Sequence, residues 1–332
     1  MLALNWGVLS TAAIAINKVI PAMQTAEHCR VLGIASRSGK RAQSVAEQLG
    51  IPRSYDSYEA LLADPDIDAV YVPLPNHLLV EWAIKAAEAG KHVLCEKPIA
   101  LTADEARKLI AVRDRAGVYI QEAFMVRTNP QWLAVRKLVQ DGVLGRLQAI
   151  QGFFSYHQMD TDNIRNIPEY GGGGLLDIGC YPINTVRYVL GDEPLRVAAL
   201  INTDPTMGID CLGSVMLDFA GVQASFTYGT QLMPYQTMNF FGDAGRLEVE
   251  IPFNPPNDEP CRILHYHAGR SEPEVLTFAT SDQYGFAGTA FSWAILEGTV
   301  QPIPLEDTIA NMQVIDACFR AGMAGSWETP SG

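Results

Sequence analysis

The sequence predicts an α/β domain built on a doubly wound parallel sheet, followed by an α+β domain with a large open, mainly antiparallel sheet. Three observations carry this expectation. Over residues 1–123 short apolar runs alternate with helical patterns, the order that produces a parallel sheet covered by crossover helices. From Leu147 onward the chain turns to long alternating runs, the pattern of antiparallel strands with one covered face. The length of 332 residues suffices for two cores, and 48% hydrophobic against 18% charged residues is the balance of an ordinary globular protein. The expected domains are 1–123 and 124–332, with the last helix, 305–321, packing back toward the first.

Each element of the first domain has its own signal. Leu2–Leu9 reads as a strand, and Ser10-Thr11-Ala12-Ala13-Ile14-Ala15 opens a helix in the register of GxGxxA. Ser10 and Ala12 stand in the first two glycine positions, where small residues let backbone approach a pyrophosphate at a helix N-terminus. Arg30–Ala35 is the second strand, followed by Ser36-Arg37-Ser38 and then Lys40-Arg41. A carboxylate about 20 residues beyond the glycine motif would mark a free ribose 2′-hydroxyl. Hydroxyls and arginines stand there instead, which suits a 2′-phosphate. A helix over Arg41–Leu49 ends at Gly50. Asp68–Val72 is a strand running into Pro73-Leu74-Pro75-Asn76-His77, with Asn76 expected to cap the next helix.

His92-Val93-Leu94 reads as a buried strand, and Cys95-Glu96-Lys97-Pro98 follows it. The charged pair therefore sits at the carboxyl end of a strand, where α/β sheets bind ligands. Thr102-Ala103-Asp104-Glu105 is a capping box that starts a helix to Ala116, and a strand at Val118–Gln121 leads to Glu122. The ligand edge should gather Ser10, Ser36, Pro75, Asn76, Glu96, Lys97 and Glu122. Thr11, Ala12, Ala13, Ile14, Arg37, Ser38, Arg41, Leu74 and His77 flank these positions and complete the expected cofactor set.

The second domain should open with a helix over Asn129–Gln140. Strands are expected at Leu147–Tyr156, Arg196–Thr203, Leu212–Phe219, Val222–Tyr228, Thr237–Phe241, Arg246–Ile251 and Cys261–Tyr266. Gly171-Gly172-Gly173-Gly174 interrupts this pattern and leads into a helix on which Asp177 and Tyr181, four apart, share one face. His265 and His267 share one side of a strand; with no third ligand in view they read as surface histidines, and no metal site is expected. The final helix carries an apolar stripe of Leu305, Ile309, Met312, Ile315 and Phe319.

Net charge of -13 argues against nucleic-acid or anionic-membrane partners, while leaving room for a local basic pocket. The six cysteines lack CxxC spacing, so neither a zinc site nor a disulfide framework is expected, and reduced thiols in the cytoplasm is the simplest reading. No export signal or membrane span is expected.

Taken in order, WGVLSTAAIA (6–15), ASRSGKRA (35–42), VLCEKP (93–98), EAFMVRTNPQ (122–131) and GGGGLLDIGCYPIN (171–184) resemble the Gfo/Idh/MocA oxidoreductases. The closest likeness is to the branch with dimeric dihydrodiol dehydrogenases and NADP-dependent D-xylose dehydrogenases. The resemblance implies a Rossmann domain, a second domain whose open sheet is buried in a homodimer or dimer-based oligomer, and a Lys97-Pro98 peptide in the cis form. It places Lys97 and Tyr181 at the reacting carbon. Many relatives have His where this chain has Tyr181, and a frequent RxHP is here Arg127-Thr128-Asn129-Pro130. NADP is the expected cofactor, with NAD the alternative. The expected reaction is hydride transfer at a sugar or cyclic-diol hydroxyl, with Lys97, Tyr181 and Asp177 catalytic. A non-catalytic NADP-binding regulator, or a sugar–sugar oxidoreductase with non-dissociating NADP, is the alternative.

Overall fold

The computed structural model describes residues 2–330, so Met1, Ser331 and Gly332, at the outer limits of the two expected domains, lie outside the described residues. The chain divides into two compact units, Met1–Thr128 with Asp282–Ile309, and Asn129–Ser281 with Ala310–Gly332.

The first unit carries a six-stranded sheet: β1 (Leu4–Leu9), β2 (Cys29–Ala35), β3 (Arg53–Tyr55), β4 (Ala69–Val72), β5 (His92–Cys95) and β6 (Ile120–Glu122), in the order β3-β2-β1-β4-β5-β6. All five pairings are parallel. Strands covered on both faces need apolar residues throughout, and β4 is buried at every position. The registers Val8↔Ile34, Val8↔Tyr71, Val72↔Cys95 and Cys95↔Glu122 bring the carboxyl ends of five strands to one edge. Helix starts follow side-chain caps. Ser38 Oγ accepts from Arg41 N at 3.4 Å to begin α2 (Gly39–Leu49), and Ser57 Oγ accepts from Ala60 N at 3.1 Å to begin α3 (Tyr58–Leu62). Thr102 Oγ1 accepts from Glu105 N at 3.2 Å to begin α5 (Ala103–Ala116). Asn76 departs from expectation. It is the first residue of α4 (Asn76–Glu88), and Pro75, with no cap hydrogen bond of its own, stands before it.

The segment Asp282–Ile309 lies within this first unit, although the sequence left it in the second domain. Its helix α8 (Gln283–Glu297) buries Phe291 against Trp6, with ring centroids 5.8 Å apart, and Trp6 Nε1 donates to Ser292 Oγ at 3.1 Å. Burying each such ring contributes about 1.5–3 kcal/mol. Past the helix, Gln301 Nε2 donates to Ile120 O at 2.9 Å, and Arg127 pairs with Asp307 at 2.8 Å. Helix α8 escapes sequence reading because apolar residues surround it and leave no stripe.

The second unit carries eight strands: β7 (Leu147–His157), β8 (Arg196–Thr203), β9 (Asp210–Phe219), β10 (Val222–Gly229), β11 (Gln231–Gly242), β12 (Gly245–Val249), β13 (Cys261–His267) and β14 (Glu274–Phe278). Their order is β14-β13-β12-β11-β7-β10-β9-β8, with β7 and β10 parallel and every other pair antiparallel. Helices α6 (Pro130–Gln140) and α7 (Cys180–Leu190) belong to this unit. Trp132 of α6 is fully buried, stacks on Phe253 and donates through Nε1 to Pro252 O at 2.7 Å. Elsewhere on the sheet large apolar side chains stand in solvent: Leu200 is 76% exposed and Tyr235 57%. Strand β14 was not expected, since its short run mixes charged and apolar residues. The last helix, α9 (Leu305–Ala324), begins in the first unit and continues into the second. All six cysteines are free thiols, and no helix among the described residues is long and apolar enough to cross a membrane.

Candidate active site

In the first unit, the expected cofactor residues gather at the carboxyl edge of the parallel sheet. After β1, residues 10–14 lead into a π-helical segment, Ala15–Val19, and then α1 (Ile20–Thr25). The first N–H groups of a helix lack intrahelical partners and face an incoming anion. After β2, Ser36 Oγ accepts from Ser38 N at 3.3 Å, and Arg37 is exposed with no carboxylate partner among the described residues. Arg41 reaches back to the first turn: its Nε donates to Thr11 Oγ1 at 2.8 Å and its guanidinium to Thr11 O at 3.4 Å. The β2–α2 turn thus offers hydroxyls and guanidiniums and no carboxylate. That donor set fits a phosphate-bearing dinucleotide. Leu74 is buried, while Pro75, Asn76 and His77 are half-buried at the start of α4.

The Glu96-Lys97-Pro98 turn is held from several sides. The Lys97-Pro98 peptide is cis. Glu96 Oε1 accepts from Tyr71 OH at 2.5 Å, and its Oε2 accepts from Lys97 N at 3.2 Å. Glu122, fully buried, accepts from Ile99 N at 2.9 Å and so anchors the residue just past the cis proline. Burial pushes the Tyr71 phenol well up, and the Glu96 charge adds to it; Tyr284 of α8 is pushed up for the same two reasons. Neither tyrosine was singled out from the sequence. Tyr71 sits inside an apolar strand and Tyr284 in the helix that went unseen.

In the second unit, the glycine run approaches protein rather than open space. A Cβ at Gly172 would lie 2.5 Å from Arg165 O, one at Gly174 would lie 2.7 Å from the Tyr228 ring, and Gly173 has φ +123° against Asp210. Buried Asp210 organises this junction: its Oδ2 accepts from Leu175 N at 2.7 Å and from Tyr228 OH at 2.8 Å. Burial pushes the Asp210 carboxyl up to about 6.

Leu175–Gly179 is π-helical and runs into α7, and such one-turn widenings recur at functional sites. Tyr181 is buried, with Phe154 at 5.8 Å edge-to-face and Phe253 at 5.5 Å between ring centroids. Asp177 accepts from Tyr156 OH at 2.6 Å and pairs with Arg165 Nε at 3.2 Å. Burial raises the Tyr156 phenol, and the adjacent Asp177 charge raises it further, so Tyr156 stays a donor at neutral pH. Tyr156 and Arg165 were missed because one lies in a strand and the other in the loop beyond it. Their only signal was proximity in sequence to the glycine run.

One histidine departs from expectation. His265 is 5% exposed, so it is a buried residue and not a surface one.

The chain matches two family models: the oxidoreductase family with NAD-binding Rossmann fold over residues 4–124, and the GFO/IDH/MocA C-terminal domain over residues 132–248. It is 46% identical to an uncharacterized oxidoreductase of Rhizobium meliloti, covering 98% of each chain. It is 38% identical to an NADP-dependent D-xylose 1-dehydrogenase of Haloferax volcanii, over 97% of this chain and 98% of the relative. Among solved structures, a 3-ketoreductase from Actinomadura kijaniata, crystallised with NADP and TDP-benzene, superposes with a TM-score of 0.90 at 31% identity, over 96% of this chain and 98% of that one. The parallel sheet with its phosphate-ready edge and the second, mainly antiparallel sheet therefore belong to a member of the Gfo/Idh/MocA oxidoreductase family, an enzyme with an NAD(P)-binding Rossmann domain.

Proposed function

We propose that the protein catalyses NADP-dependent hydride transfer at a CH–OH group of a sugar or cyclic diol, an aldose such as D-xylose or D-glucose or a trans-dihydrodiol. The observation that carries this reading is the polar set around Asp177. A carboxylate, a raised phenol and a guanidinium lie in hydrogen-bond contact, one helical turn from buried Tyr181. Carboxylate–hydroxyl and guanidinium–hydroxyl bonds are the means by which a site reads a polyol. The absence of any acid in the Ser36-Arg37-Ser38-Gly39-Lys40-Arg41 turn supports NADP over NAD.

Bound nicotinamide supplies the acceptor or donor of hydride. The chain must move the accompanying proton. Tyr181 is the proton acceptor in this reading, and Lys97 is the cation that favours its phenolate and orients the substrate oxygen. Asp177 accepts from a neighbouring substrate hydroxyl. Glu96, Glu122 and Tyr71 hold the turn that carries Lys97. In the exchanged assignment Lys97 is the base and Tyr181 orients the substrate oxygen. Screening aldoses, inositols and cyclic trans-diols for reduction of NADP tests the reading. Activity on at least one polyol class supports it, and activity confined to compounds without vicinal hydroxyls refutes it.

The open face of the second sheet supports a homodimer. Leu200, Met216 and Tyr235 are exposed on it, and soluble monomers rarely leave such a surface uncovered. Light scattering that gives the monomer mass at micromolar concentration contradicts this. Six free thiols support a reducing, cytoplasmic setting.

A further inference from the structure

We propose that His265, His267 and Glu274 form a binding site for a divalent transition-metal ion of the zinc class, at the edge of the second sheet. Strand pairing places the three residues together: His265 and His267 alternate on β13, and His265 lies directly opposite Glu274 on β14. One ligand atom from each side chain falls within 4.8 Å of the other two. The two imidazoles are 3.8 Å apart between centroids, and His267 Nε2 lies 3.1 Å from Glu274 Oε2.

One feature points to a ligand rather than to a chance cluster. His265 is 95% withdrawn from solvent, yet its Nε2 has no hydrogen-bond partner. A buried ring nitrogen without a partner is costly, and an ion would satisfy it.

Two imidazoles and one carboxylate are a donor set that zinc accepts, leaving a fourth position for water. Bonds of about 2 Å to each ligand would draw the three atoms to about 3.3 Å from one another, a change within reach of side-chain rotation. The carboxylate offsets part of the ion's charge; Arg270, in the turn between the strands, is the nearby cation that opposes it. An ion held here would tie the edge strand β14 to β13 by side-chain ligands in addition to the ladder.

The test uses the full chain without an affinity tag, stripped with chelator and titrated with Co²⁺. The expected result is a visible absorption band that saturates near one ion per chain and is abolished by Zn²⁺. Glu274→Gln and His267→Gln, which change side chains at the rim and leave buried His265 in place, should each weaken binding about tenfold or more. Zn²⁺ should raise the melting temperature of the wild-type chain and not that of the double variant. Absence of a saturable Co²⁺ band in the wild type, or equal affinity in wild type and double variant, overturns the assignment. The band is read without substrate or nucleotide, so it does not depend on the proposed reaction.

Discussion

Replacing Asp210 with Asn should make the stability of the protein rise relative to wild type as pH increases. Asp210 is 8% exposed, and burial pushes its carboxyl from 3.8 up to about 6. An acid whose pKa is raised on folding is protonated in the folded state and ionised in the unfolded state between those two values. Folding therefore takes up a proton there, and stability falls as pH climbs from about 4 to about 6, then levels off. Below the unfolded value the group is neutral in both states and costs nothing. The interval corresponds to about 3 kcal/mol of stability absent at neutral pH. Asp210→Asn keeps a carbonyl acceptor for Leu175 N and Tyr228 OH, the two bonds that Asp210 Oδ2 makes, and removes the titration. Urea unfolding of both proteins at several pH values between about 4 and 7 gives the difference directly. The variant should gain about 3 kcal/mol on wild type across that range. A difference that does not vary with pH refutes the reasoning, because it would mean that Asp210 ionises as easily in the fold as in the unfolded chain.

Other outcomes follow from the same geometry. Ser36→Asp with Arg37→Ala should reverse the preference for NADP over NAD, since a charge-assisted phosphate contact is worth about 1.5–3 kcal/mol; kcat/KM with each nucleotide checks it, and unchanged selectivity removes this turn from the phosphate pocket. Gly174→Ala puts a Cβ 2.7 Å from the Tyr228 ring and should destabilise the chain by about 1–3 kcal/mol, measured as a lower urea midpoint; a neutral effect would mean the ring can move aside.

Much of the first unit is legible in the sequence because the central strands carry apolar runs, at residues 6–9, 31–35, 69–72 and 93–95, that alternate with helix signals. Trp6 to Leu9, the Ser38 and Thr102 caps and the turn at Glu96 all have local causes. The second sheet is legible for a different reason, the alternation of its strands. What escapes reading depends on distant partners. Helix α8 has no polar face, and the partners of Phe291 and Ser292, Trp6 and Cys29, lie far away in sequence. The glycine run reads as room for a ligand, whereas Asp210 and Tyr228 fill that room. Asp177 and Tyr181 were visible as a spaced pair, but Tyr156 and Arg165 became partners of Asp177 only through the fold. His265 and His267 were visible as a pair too, and the missing Glu274 lies on a strand whose mixed composition hid it.

Turnover of Tyr181→Phe and Lys97→Met with NADP and the best polyol, both at saturation, tests the central claim most directly. Each substitution should cut kcat by about 10²–10⁴-fold, the scale of lost acid–base catalysis, and leave NADP affinity nearly unchanged. The two losses together should fall well short of multiplying, since residues that act as one unit are not additive. Tyr181→Phe with near wild-type turnover would contradict the account, because the proton of the hydroxyl would then leave by a route that does not include Tyr181.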